Sequence, residues 1–121
     1  MSSGLFTVAS LKHQNNSISA VLRINADSDI LKGHFPGHPV VPGASMLQIV
    51  KEVLENALQG HFRLKKAEQL KFMSLVEPSR ADAVQLEIEY RNQEGDSIYV
   101  AGKLTDGDTV CFKFQGTFIK T

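Results

Sequence analysis

The sequence predicts an α+β domain in which one helix packs against one antiparallel sheet. Three features predict this class: a single run of apolar residues at helical spacing, alternating strand-like segments on both sides of it, and a Pro- and Gly-rich segment before the helix. The chain has 121 residues, of which 42% are hydrophobic. That size suits one domain over 1–121, with a core that needs no disulfide or metal.

Two strands are predicted before the Pro- and Gly-rich segment. Residues 5–11 are rich in apolar and β-branched side chains, and apolar residues alternate with others through 17–24. A polar break at 25–29 ends the second strand. From Gly33 to Gly43, three prolines and three glycines predict a rigid loop, because proline fixes its own φ and disfavours helix at the residue before it.

One amphipathic helix is predicted over 43–59. Apolar residues recur at helical spacing from Met46 to Leu58, and Gly60 supplies a stop signal after them. The opposite face carries a polar stripe that consists of Gln48, Glu52, Glu55 and Gln59.

Four further strands are predicted over 64–76, 84–90, 98–104 and 110–119. Turn signals at 77–79, 94–96 and 106–108 separate them, and this spacing predicts an antiparallel meander. The alternation within the strands gives each of them one apolar face, which the helix is expected to cover.

Charge and cysteine content narrow the expected surroundings and partners. Thirteen basic residues balance thirteen acidic ones, so no global field favours nucleic acid or an anionic membrane. The lone Cys111 cannot form an internal disulfide, and the first residues lack a signal-peptide pattern, so we expect a cytoplasmic protein. Charged and amide residues interrupt the longest apolar segment, and we expect no membrane span.

Residues 33–43 read Gly-His-Phe-Pro-Gly-His-Pro-Val-Val-Pro-Gly and run directly into the predicted helix. This string resembles the active-site segment of the hot-dog-fold 3-hydroxyacyl-acyl-carrier-protein dehydratases, whose pattern is Gly-His-Phe-Pro-Gly-x-Pro-x-x-Pro-Gly. The resemblance implies a curved antiparallel sheet wrapped around one long helix. It also implies an enzyme of fatty-acid-type biosynthesis that converts 3-hydroxyacyl thioesters on acyl carrier protein to trans-2-enoyl thioesters. A dimer or larger oligomer is expected, without metal or cofactor.

The resemblance assigns roles to individual residues of this segment. His34 matches the general base, and its imidazole has a pKa range suited to proton transfer near neutral pH. Gly43 stands at the helix start, where free N–H groups can hold the thioester oxygen. The other expected substrate-binding residues are Phe35, Gly37, Val40 and Pro42, and the backbone carbonyl of Val40 is expected to orient His34.

One position departs from the family pattern, because Gln48 stands where the family has a Glu or Asp as general acid. An amide can donate a hydrogen bond to a hydroxyl or a water, but it cannot protonate a leaving hydroxide. General acid–base partners typically contribute about 10²- to 10⁴-fold in rate. Glu52 follows on the same stripe, but one turn is about 5.4 Å along the helix, too far to replace an acid at 48 without a shifted substrate.

The departure leaves four hypotheses open. The chain is a slow dehydratase by itself, or one subunit of a heterodimer whose homologous partner supplies the acid opposite His34. Alternatively, it is a thioesterase in which Gln48 positions a water, or a non-catalytic acyl-binding subunit.

Two other groups of residues have alternative readings. His34 and His38 have the spacing of some zinc ligands, but Pro36 and Pro39 prevent the helix that would bring them together, so no metal site is expected. A basic cluster is either a docking surface for an acidic carrier protein or protection of an edge strand, and it consists of Arg63, Lys65, Lys66 and Lys71.

Overall fold

The computed structural model describes residues 5–25, 43–77 and 82–121, which form one sheet and one helix. The helix, α1, is Gly43–Leu58. The strands are β1 Phe6–Gln14, β2 Ser17–Ile24, β3 Phe62–Phe72, β4 Ala83–Asn92, β5 Ser97–Asp106 and β6 Thr109–Lys120. The predicted α+β class is confirmed, with boundaries shifted by a few residues.

The strand order corrects one prediction. The order in the antiparallel sheet is β1-β2-β4-β5-β6-β3, so the predicted meander is right for the last three strands and wrong for β3, which pairs with β6. The physical reason is that α1 lies across the sheet, with contacts to β1, β2, β3 and β4, and carries the chain to the far edge. Glu55 holds the start of β3 near the helix, because its Oε2 accepts a hydrogen bond of 2.8 Å from the Phe62 amide.

The turns follow the sequence signals closely. Gly95 and Gly107 adopt positive φ values of 70° and 60° in the β4–β5 and β5–β6 connections, where a residue without Cβ is least strained. The helix end differs from expectation. Gln59, rather than Gly60, adopts the left-handed conformation with φ 54°, while the Gly60 amide donates to the Glu55 carbonyl at 3.2 Å.

The core lies between α1 and the inner face of the sheet, meaning the face that α1 covers. The helix contributes five buried residues, Met46, Ile49, Val50, Val53 and Leu54. The largest fully buried rings of the sheet are Phe6, Phe112, Phe114 and Phe118. Val50 lies against Gly102 of β5, where a Cβ would meet its methyl carbons at 3.8 Å. Among the described residues, no helix combines the length and the apolar character needed to cross a membrane.

Candidate active site

Most of the predicted site falls outside the described residues. These positions are His34, Phe35, Gly37, Val40 and Pro42, and their roles stay predictions. The two remaining site residues, Gly43 and Gln48, both lie on α1, Gly43 as its first residue. The geometry around these two residues is therefore the structural part of the site.

Gly43 touches the end of β3. A Cβ added at Gly43 would lie 2.7 Å from both Cε1 and Cζ of Phe72, the last residue of that strand. Only a residue without a side chain lets the ring approach the helix backbone this closely. The same ring stacks on Phe112 of β6, with centroids 5.1 Å apart. Phe72 thus joins the helix start to the sheet.

Phe72 is exposed although it is aromatic, with 57% of its surface accessible. The ring flanks the helix end whose first N–H groups have no acceptor within the helix. An oxygen approaching those donors would pass an apolar wall, which suits a thioester carbonyl attached to an acyl chain.

Further apolar residues follow Phe72 on the surface. Leu70, Phe72, Met73 and Leu75, called the apolar patch below, are 40%, 57%, 53% and 66% exposed. The segment is held to β6, because the amides of Met73 and Ser74 both donate to the Cys111 carbonyl, at 2.8 and 3.3 Å. Exposed apolar patches on a protein surface often mark sites of binding or association.

Gln48 is half-buried and has a defined side-chain partner. Its amide nitrogen donates to Oε2 of Glu52 at 3.3 Å, one turn further along α1. With the nitrogen engaged in this way, the amide oxygen of Gln48 can accept a hydrogen bond from another group. Both this oxygen and the second N–H of the amide can therefore bond to a hydroxyl or a water.

Among the described residues, one thiol and two imidazoles were the other candidates for a catalytic role, and their surroundings do not favour it. Cys111 is buried, and burial, followed by the negative charge of Asp106, raises the pKa of its thiol, which makes it a poor nucleophile. His13 and His61 are both exposed. Nε2 of His13 is hydrogen-bonded to the Tyr90 hydroxyl at 2.6 Å, and His61 is 86% exposed beside Glu55.

The fold defines the class of protein: one helix against a curved, six-stranded antiparallel sheet is the hot-dog fold. A subunit of the dehydratase heterocomplex ApeI:P from Xenorhabdus doucetiae superposes with a TM-score of 0.75 over 94% of this chain and 97% of that one, at 16% identity. A mutant thioesterase from Staphylococcus aureus superposes with a TM-score of 0.69 at 8% identity, covering 96% and 93%. At these identities the likeness concerns the fold.

The family follows from the sequence match. The family model described as ApeI-like, ApeI dehydratase, matches residues 10–113, so this chain belongs to the ApeI-like dehydratase family. A 3-hydroxyacyl-[acyl-carrier-protein] dehydratase FabZ of Wolbachia pipientis wMel is 30% identical over 83 residues, which cover 60% of this chain and 56% of that relative. The FabZ of Myxococcus xanthus (strain DK1622) is 27% identical over 112 residues, covering 86% and 71%. The chain thus spans little more than half the length of the Wolbachia relative.

Proposed function

We propose that this chain dehydrates 3-hydroxyacyl thioesters carried on acyl carrier protein, with low activity alone and full activity beside a homologous subunit. Membership of the ApeI-like dehydratase family and the names of both FabZ relatives support the reaction. One observation carries the second half of the proposal: an amide, Gln48, occupies the helix position expected for the acid, and Glu52 holds its nitrogen.

The proposed chemistry uses three groups of this chain. The imidazole of His34 removes the Cα proton, and the N–H at Gly43 stabilises the negative charge that develops on the thioester oxygen. The Cβ–O bond then breaks, the imidazolium returns its proton to the departing hydroxide, and water and a trans-2-enoyl thioester result. The oxygen of Gln48 accepts a hydrogen bond from the 3-hydroxyl and orients it, but it supplies no proton.

A second subunit would cover the apolar patch and supply the missing acid. We infer a homologous hot-dog subunit that carries a carboxylic acid at the position matching Gln48. The structural relative from Xenorhabdus doucetiae is described as a heterocomplex, and the patch lies beside the helix start, since Phe72 contacts Gly43. A partner at this surface could therefore reach the reacting groups.

Thioester hydrolysis is the second candidate. Its specific support is the orientation of Gln48, whose free oxygen can accept a hydrogen bond from an attacking water, together with the superposition on the staphylococcal thioesterase. The Gly43 N–H would serve this reaction equally well, because both reactions place negative charge on the thioester oxygen.

The deciding experiment measures enoyl product and free thiol in parallel, with purified chain and a panel of 3-hydroxyacyl carrier-protein thioesters. We expect slow enoyl formation that His34→Ala abolishes and that Gln48→Glu raises by about 10²-fold or more. The gain is expected because a carboxylic acid at 48, unlike an amide, can give a proton to the departing hydroxide.

Asn56→Asp is the matched control, because it makes the same amide-to-acid change at an exposed position of α1 and should leave the rate unchanged. Thiol release without enoyl product would replace the proposal with the thioesterase. No product in either channel, with the acid-bearing homologue added as well, would reject catalysis and leave an acyl-binding role to be measured by titration.

A further inference from the structure

Three lysines form a row across neighbouring strands on the outer face of the sheet, the face turned away from α1. Lys113 of β6 lies directly opposite Lys103 of β5 on one side and Lys71 of β3 on the other. All three side chains are exposed, and the residues on either side of Lys113, Phe112 and Phe114, are buried on the inner face. The strand alternation thus fixes the row on the outer face.

The row is electrostatically unfavourable by itself. Residues directly opposite each other in antiparallel strands have Cβ atoms about 4.5–5.5 Å apart, and like charges there are destabilising. Glu87 of β4 lies opposite Lys103 at one end of the row, and its Oε1 accepts a hydrogen bond of 2.7 Å from Ser19. Within the part of the chain that the structure describes, none of the three lysines forms an ion pair with a carboxylate.

A shallow groove runs beside the row. Its volume is about 420 Å³, and its lining includes Lys103 and Lys113, the amides of Gln69 and Gln115, and the small side chain of Ala101. Glu87 and Glu89 line it too. The basic residues thus lie on β5, β6 and β3, and the acidic residues lie on β4.

The basic end of the row lies beside the candidate active site. Lys71 directly precedes Phe72, and consecutive residues of a strand point to opposite faces. Phe72 contacts the helix start at Gly43, while Lys71 is the end of the lysine row on the outer face. A partner bound to the row is therefore next to the strand that borders the site.

We propose that Lys71, Lys113 and Lys103 form the docking surface for the acidic face of the carrier protein that delivers the substrate. This inference rests on the proposed function for the identity of the partner. A transient, electrostatically steered encounter suits a surface of lysine and amide side chains. A second copy of this chain is a poorer occupant, because stable interfaces between copies are more apolar than this face.

The test measures the dissociation constant for a fluorescently labelled acyl carrier protein that carries a non-hydrolysable 3-hydroxyacyl amide. Lys113→Glu should weaken binding about tenfold, since it removes one favourable contact and adds a repulsion of similar size. Lys113→Arg should preserve binding and confirm that the face remains folded. Lys12→Glu, the same charge change at an exposed position of β1 on the opposite edge, should change the constant less than about twofold.

Turnover of a small pantetheine thioester separates docking from chemistry. We expect Lys113→Glu to leave it unchanged while raising KM for the carrier-bound substrate. Absence of all turnover, with the acid-bearing homologue added as well, would reject the proposed reaction, but the binding measurement would still decide the docking surface. Equal binding by Lys113→Glu and the parent chain, or equal weakening by Lys12→Glu, would overturn the inference. A change in sedimentation with Lys113→Glu would instead assign this face to contact between copies.

Discussion

The two edges of the sheet differ in what they expose. β1, at one edge, has exposed Thr7, Lys12 and His13, and the His13 ring is anchored by Tyr90. β3, at the other edge, ends in the apolar patch and in Phe72, which contacts the helix start. Charged side chains discourage association at a sheet edge, and β3 carries them along its length at Arg63, Lys65, Lys66 and Lys71, whereas the exposed apolar side chains at its end invite association. The end of β3 is therefore where the proposed partner subunit and substrate would meet this chain.

The backbone of the two edges differs as well. The pairing of β1 with β2 has one register irregularity, between Val8 and Ser10, while the pairing of β3 with β6 has two, between Leu64 and Lys66 and between Ala67 and Gln69. Bulges bend a strand and increase its local twist. This irregular strand approaches Gly116 of β6 so closely that a Cβ there would collide with the Lys66 carbonyl oxygen.

Gly116→Ala should therefore destabilise the β3 edge, and it should lower the unfolding free energy more than the other substitutions do. The new methyl would meet the Lys66 carbonyl and lie 2.6 Å from Cζ of Phe114, so the β3 backbone must shift, and we expect a loss of about 3 kcal/mol in unfolding free energy. Denaturant unfolding measures the loss. Hydrogen exchange should show faster opening in β3 than in β1.

Gly102→Ala is the control for this substitution. It adds the same methyl on β5, where the nearest atoms are Val50 methyl carbons at 3.8 Å, an ordinary contact distance, and it should cost less than about 1 kcal/mol. Equal losses for the two variants would mean that the close approach of β3 to Gly116 does not constrain the edge.

Leu75→Lys tests whether the apolar patch at the end of β3 takes part in subunit association. Leu75 is 66% exposed, so the unfolding free energy should change by less than about 0.5 kcal/mol. If a homologous subunit covers the apolar patch, the lost burial is worth about 2 kcal/mol, which corresponds to about 30-fold weaker association. Native mass spectrometry of the chain alone and with the acid-bearing homologue measures the assembly.

Thr7→Lys, at an exposed position of β1, is the matched control and should leave assembly intact. If Leu75→Lys dissociates a complex of identical chains, the patch is an interface between copies and the heterologous partner is wrong. Assembly that survives Leu75→Lys would show that subunits meet elsewhere.

Local sequence patterns predicted most elements, because periodicity and turn residues act over short distances. Helical spacing after Gly43 and the turn glycines Gly95 and Gly107 all predicted what the structure contains. The place of β3 was not predictable in this way, since strand order depends on pairing between distant segments. Its pairing with β6 arises because α1 carries the chain across the sheet.

The same limit applies to the site. The family pattern identified Gln48 as the unusual position, but only the structure shows Glu52 holding its nitrogen. No local signal marks Phe72 as the neighbour of Gly43, and the row through Lys113 needs the register of three strands. The sequence shows which side chains are present, whereas the contacts that these side chains make depend on tertiary packing.

The contact between Gly43 and Phe72 gives the smallest and most specific prediction. Alanine favours helix over glycine by up to about 1 kcal/mol, so Gly43→Ala should stabilise α1 if nothing opposes the methyl. In the parent chain the methyl must displace the Phe72 ring and disturb its stacking on Phe112. An aromatic pair of this kind contributes about 0.5–1.5 kcal/mol. The substitution should therefore be neutral or destabilising there, and stabilising in a Phe72→Ala background. We expect denaturant unfolding of the parent chain, the two single variants and the double variant to give a coupling energy of about 1 kcal/mol. An equal effect of Gly43→Ala in both backgrounds would show that the end of β3 and the start of the helix are not energetically coupled.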